Sequence, residues 1–163
     1  MSAEVRDHPL GDPLSLELIG ELNADIEARY PWETDHFWSL DTDEVGPGRG
    51  AFVVVWDGDE PLGCGAVRLI SVDDGAPGAT YVELKRMYVR PAARGRRLGV
   101  LLLDELVTRA RGLGATHVRL ETGTQQHEAM VRYERYGFAH IPPWGEYVDG
   151  ADSICLELAL EKL

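Results

Sequence analysis

Six of the chain's sixteen basic residues fall between Lys85 and Arg97, and no acidic residue occurs from Leu84 to Leu103. Elsewhere ten Lys and Arg face twenty-eight Asp and Glu, a balance of −18. The densest part reads Arg94-Gly95-Arg96-Arg97-Leu98-Gly99, between a strand-like run and a helical one. A strand, a turn containing Pro91 and the start of a helix bring several backbone N–H groups and the positive end of a helix dipole to one point. Guanidinium groups there add forked donors matched to phosphate oxygens, so the chemistry on offer is the grip of a polyphosphate. An acidic protein that takes an anionic ligand needs such a local exception. A solvated arginine cluster on an exposed turn is the plainer alternative. Neither GxxxxGK(S/T) nor GxGxxG occurs, which removes most support for a nucleoside triphosphate or dinucleotide loop.

The elements around this loop are legible from spacing. Asp12-Pro13 followed by Leu14, Leu18, Leu22 and Ile26 predicts a capped helix that ends near Tyr30. Pro31 to Gly50 has no sustained period and is expected to be irregular, with room for one short helix. Ala51–Trp56, the turn Asp57-Gly58-Asp59 and Leu62–Ser71 predict a hairpin, and Tyr81–Val89 a third consecutive strand. Leu98, Leu101, Leu102, Leu106, Ala110 and Leu113 then recur at helical spacing, so a helix begins directly at the basic loop. A short strand at His117–Glu121, a helix carrying Met130, Tyr133 and Tyr136, and a strand at Ser153–Leu160 complete the chain.

A length of 163 residues with 44% hydrophobic and 27% charged residues predicts one folded domain. The net charge of −12 argues against general affinity for nucleic acid or an anionic membrane. With no basic start followed by an apolar run, and no apolar stretch near eighteen residues, a cytoplasmic location is expected. Cys64 and Cys155 lie in apolar strand-like runs without a CxxC partner and read as buried free thiols. The five histidines are scattered and HExxH is absent, so no metal is expected; nor is there a Ser/His/Asp or reactive Cys pattern for an acyl-enzyme.

The basic loop resembles the signature Q/R-x-x-G-x-G/A of the GCN5-related N-acetyltransferase (GNAT) family, with Arg97 in place of the first glycine. Downstream, "HEAMVRYERYGF" is similar to the family's A-x-x-x-Y-E-x-x-G-F segment through Ala129, Tyr133, Glu134, Gly137 and Phe138. The resemblance spans about residues 5 to 160. It implies a mixed α/β domain whose central sheet is splayed around an acyl-CoA cleft, with helices on both faces. Acetyl-CoA would lay its pyrophosphate on Arg94, Gly95, Arg96, Arg97, Leu98 and Gly99, and its pantetheine arm along Met87, Tyr88 and Val89. The implied reaction is direct acetyl transfer to a primary amine of a small, cationic acceptor.

That reaction needs a base, because an alkyl ammonium titrates near pKa 10 and only the free amine attacks a thioester. The resemblance places Glu83 in this role, against the alternative of a surface-facing strand acid. Tyr133 matches the family tyrosine that protonates the departing thiolate, against a core aromatic with a satisfied hydroxyl. Backbone N–H near Tyr88 or Val89 would meet the oxyanion. Gln126 stands where relatives carry an asparagine that contacts pantetheine, His127 is a weaker alternative base, and Glu121 would face the acceptor amine. Trp32, Asp35 and Trp38, with His36 and Phe37, offer aromatic walls and an acid for a cationic acceptor. A homodimer would fit the resemblance. A non-catalytic acyl-CoA sensor is the competing function, and an acidic scaffold for a basic partner a weaker third.

Overall fold

The computed structural model describes residues 2–33 and 39–161. The first helix, α1 (Pro13–Arg29), opens where the Asp12 carboxylate accepts the Leu14 N–H at 3.0 Å, with Pro13 in the first turn. Between α1 and the sheet, the described part of the irregular stretch forms one short 3₁₀ turn at Thr42–Val45, as its lack of periodicity predicts. A seven-stranded sheet follows: β1 (Ala3–Asp7), β2 (Gly50–Asp57), β3 (Glu60–Ile70), β4 (Tyr81–Val89), β5 (His117–Gly123), β6 (Ala139–Ile141) and β7 (Ser153–Ala159). Their order is β1-β2-β3-β4-β5-β7-β6, antiparallel throughout except for the β4–β5 pair. The remaining helices are α2 (Leu98–Gly112) and α3 (His127–Tyr136).

Helices cover both faces, which is why Ala51–Val55 reads as an unbroken apolar run. Val53 and Val55 pack with Leu102, Leu103 and Leu106 of α2, while Phe52 and Val54 pack with Leu18 and Leu22 of α1. Two strands, β1 and β6, go beyond the five that the sequence predicts. β1 offers only Ala3 and Val5 to the core, and β6 is three residues long, so neither carries a hydrophobic run that would announce it.

Two features of β4 shape everything downstream. First, β4 pairs with β5 only at Tyr81–His117, Val82–Val118 and Glu83–Arg119, after which the strands part. Second, β4 is bulged: Lys85 opposes Ala66 and Tyr88 opposes Cys64, leaving Arg86 and Met87 together across from Gly65. Arg86 sits at φ 59°, a conformation a non-glycine residue adopts at a cost and one that gathers at functional sites. The extra residue reverses the strand's alternation. Val82 and Leu84 face α2, yet so does Val89, while Tyr88 faces α1.

Candidate functional site

A cavity of about 140 Å³ occupies the parting between β4 and β5. Its wall has two sides, set by strand alternation. Leu84, Leu120, Thr122 and Tyr133 belong to the side under α2 and α3, whereas Glu83, Lys85 and Glu121 alternate with them and look to the other, where Tyr147 and Ser153 stand. The sheet therefore gives the cavity two chemically different sides, one largely apolar and one carrying charged groups.

The two carboxylates on the second side are held very differently. Glu83 is 2% exposed, and Arg68 donates to its Oε1 from Nε at 3.0 Å and Nη2 at 2.8 Å, while the Tyr147 hydroxyl donates to Oε2. Arg68 also reaches Glu44, so Glu83 is one end of a buried ion-pair chain. Glu121 has one short partner, the Ser153 hydroxyl at 2.6 Å. Burial pushes its carboxyl up to about 7, with Glu83 and Glu33 adding to the rise and Ser153 and Lys85 opposing it. A carboxyl poised there exchanges protons at neutral pH.

Tyr133 is 6% exposed, and burial lifts its phenol to about 12. Its ring meets Phe138 edge-on at 5.7 Å, and its hydroxyl makes no hydrogen bond among the described residues. Cys64 and Cys155 are buried free thiols, as the sequence predicts, and burial raises them to about 12 and 11. Neither is a ready thiolate.

Beyond β4 the chain turns through Gly95 at φ 83° and Arg97 at φ 60° and enters α2. Arg97 thus holds the left-handed conformation that a glycine takes freely, and its side chain pairs with nothing among the described residues. No N–H from Gly95 to Val100 finds a protein acceptor among those residues; the first helical bond runs from Leu101 to Arg97. Arg94 Nε donates to the Val89 carbonyl at 3.0 Å, and Arg96 pairs with Asp57 at 2.9 Å, so two of the three loop arginines are partly engaged. Arg132, from α3, lies so close to Gly99 that a β-carbon there would come within 2.7 Å of its Nε. Arg132 adjoins Tyr133 but carries no signal in the sequence that sets it apart from other helical arginines. Tyr147 and Arg68 likewise carry no local signal and matter only through the contacts the fold gives them.

The other expected residues are distributed unevenly. Met87 lines the cavity, but the Tyr88 side chain turns to α1 and donates to Glu21 at 3.1 Å, while Val89 and Leu98 are packed in the core. These three can meet a ligand only through backbone. Gln126 begins α3 and its Oε1 accepts the Gly123 N–H at 3.0 Å and the Tyr30 hydroxyl at 3.4 Å. Tyr30 presses on Gly123, where a β-carbon would fall 1.8 Å from its hydroxyl, so only glycine fits. Trp32 stays 59% exposed, donating to Asp152 at 2.8 Å at the cavity's outer edge. Asp35 and Trp38 lie outside the described residues.

A wider hollow of about 690 Å³ near Leu10, Phe52 and Leu113 has its charged groups already paired, Asp7 with Arg109 and His8 with Asp12. The smaller cavity holds the acid–base chemistry.

A parted parallel strand pair, a bulge beside it and a helix opening with unbonded amides define an acyl-CoA-dependent acyltransferase scaffold. The chain belongs to the acetyltransferase (GNAT) family, whose description matches residues 17–138 and whose members use acetyl-CoA as cosubstrate. It is 36% identical over 157 residues, 96% of this chain and 94% of the other, to the IAA acetyltransferase of Azospirillum brasilense. A solved acyl-CoA N-acyltransferase-type protein from Klebsiella pneumoniae aligns over 98% of both chains at 28% identity and a TM-score of 0.78. The PaiA N-acetyltransferase of Thermoplasma acidophilum, solved with coenzyme A, shares the fold at a TM-score of 0.70 and 18% identity, over 98% of this chain and all of the other. By family the chain is an N-acetyltransferase. No helix among the described residues is long and apolar enough to cross a membrane.

Proposed function

We propose that this protein, as a single catalytic domain, transfers the acetyl group of acetyl-CoA directly to a primary amine of a small acceptor in the β4–β5 parting. The observation that carries the reading is that Arg132 both lines the parting of the two strands and lies against Gly99, within a run of unbonded amides from Gly95 to Val100. Those amides, the α2 dipole and the guanidinium groups of Arg97 and Arg132 would hold the diphosphate, with the remaining nitrogens of Arg94 at the rim. The unpaired edge of β4 past Glu83 would align the pantetheine arm. When bound, acetyl-CoA supplies an activated thioester.

Glu121 is the base in this reading: its Oε takes the proton of the acceptor ammonium, and a carboxyl near 7 does so at neutral pH. Glu83, the base suggested by family resemblance, acts instead as the fixed partner of Arg68 and Tyr147. Backbone N–H groups of the bulged stretch Arg86–Val89 meet the charge that develops on the acetyl oxygen. Glu121 releases that first proton to solvent and takes the nitrogen's second one as the C–N bond forms; as the C–S bond breaks, the Tyr133 hydroxyl gives its proton to the leaving sulfur, and solvent restores it. Raised cysteine thiols favour this direct route over an acyl-cysteine. Glu33, Glu121 and Asp152 around the acceptor side favour a cationic amine.

The test is an acetyl-CoA-dependent screen of primary amines, together with the acceptor named in the Azospirillum relative, read by product mass and free thiol. Acetylated product with equal thiol release supports the reading. Coenzyme A binding with no product from any acceptor would return the sensor reading to first place.

A further inference from the structure

The parting sets one acidic and one cationic side chain opposite each other. Glu83 of β4 and Arg119 of β5 are the last paired residues, so two positions further along each strand Lys85 and Glu121 stand at the same level, on the same side, with the gap between them. Both line the cavity, and Lys85 is only 7% exposed. Burial holds its ammonium below the usual lysine range, with Glu83 opposing. A buried cation is costly, and Lys85 is not needed to neutralise Glu83, whose two oxygens already meet Arg68 and Tyr147. Arg86, bonded to Asn23 at 3.0 Å, adds a second cation to the wall. Acids alone would suit a simple amine, whereas a wall with charges of both signs suits a ligand with both.

We infer that the acceptor is a zwitterion of the amino-acid kind, its carboxylate held by Lys85 on β4 and its primary amine presented to Glu121 on β5. This rests on the acetyl transfer proposed above and names the class of acceptor for that same site. A carboxylate and an amine a few bonds apart fit between one charge of each sign in a single orientation, so the pair fixes which end of the acceptor is presented for attack. An ammonium has three donors, so Lys85 keeps its contacts in the protein while giving one to the ligand. A diamine turned the same way would set a second positive charge against Lys85, with Arg86 beside it, and like charges at close range disfavour it. Glu33 and Asp152, half-buried in the cavity wall, attract the ammonium end without requiring that the whole molecule be cationic.

The test measures acetylation of matched sets: L-leucine with leucinamide and isopentylamine, L-phenylalanine with phenylalaninamide and phenethylamine, and L-lysine with lysinamide and cadaverine. Each set is run on the wild type, Lys85→Met and Lys85→Arg, with coenzyme A affinity by titration calorimetry and thermal unfolding of each protein. The expected result is a kcat/KM at least about 10-fold higher for the amino acid than for the two carboxylate-free members of at least one set. Lys85→Met should cut that preference to within about threefold by raising the KM of the amino acid, with coenzyme A affinity within about twofold of wild type, while Lys85→Arg keeps most of it. Amides and plain amines used as well as the amino acids in every set overturn the inference. So does an equal loss on all acceptors in Lys85→Met, which would mark a structural lysine. No product from any member while coenzyme A binds would overturn the transfer reading itself, and this inference with it.

Discussion

Glu83 and Glu121 stand on neighbouring strands of one cleft, and their partners assign them different work. Both oxygens of Glu83 are taken by Arg68 and Tyr147, so removing its charge takes from the part-buried Arg68 one of its two carboxylate partners, the other being Glu44. Glu83→Gln is therefore expected to lower stability by about 1–3 kcal/mol in a denaturant titration. Glu121→Gln should instead cut kcat by roughly 100-fold or more and abolish the limb of the kcat/KM profile that rises through about pH 7, where the free base forms. A retained limb would assign the base elsewhere. The same carboxyl makes stability depend on pH. Its folded value of about 7 lies above the ordinary 4.5, so the folded state binds the proton more tightly. That contribution is complete below pH 4.5 and is lost as pH rises to about 7, amounting to up to about 3 kcal/mol, and Glu121→Gln should flatten this slope. Tyr133→Phe removes a hydroxyl that supports nothing in the fold, so it should lower kcat by about 10- to 100-fold with the coenzyme A dissociation constant and melting temperature nearly unchanged. Equal losses in turnover and binding would count against the acid role.

At the scale of elements, the loop into α2 balances backbone strain against a cationic side chain. Arg97 holds φ 60° where glycine would be relaxed, at a cost of about 1–2 kcal/mol. Arg97→Gly is expected to raise the melting temperature while weakening coenzyme A binding, and a variant that binds as tightly as wild type would show the guanidinium to be idle. This loop and its helix were legible in the sequence because glycine, proline and leucine spacing act over a few residues. The five long strands were legible for the same reason. What local spacing could not carry was the bulge at Arg86–Met87, which exists only against Gly65 of β3. Nor could it carry the arrival of Tyr147 on Glu83 across 64 positions, the contact that occupies the carboxylate's second oxygen. Glu121 reads from the sequence as a residue facing the acceptor, but its raised titration comes from burial in a cleft shared with Ile26, Tyr147 and Ser153, none of them near it in sequence.

For the whole molecule, a net charge of −12 surrounds one basic opening, so the anionic cosubstrate is admitted by local amides and arginines against a repulsive background. Helices on both faces of one continuous sheet predict a single cooperative unfolding transition. Ligand that binds only the folded state must raise its midpoint, by the equivalent of about 2.7 kcal/mol at a hundredfold excess over the dissociation constant. Two separated transitions, or a midpoint indifferent to coenzyme A, would contradict that picture.

The most direct measurement is a crystal structure of the protein soaked with coenzyme A. The account predicts diphosphate oxygens within hydrogen-bonding reach of the amides between Gly95 and Val100, Arg132 alongside, and the thiol at the Tyr133 hydroxyl. Ligand seated instead in the hollow beside Arg109, or a parting closed by its own side chains while coenzyme A binds at another face, would contradict it.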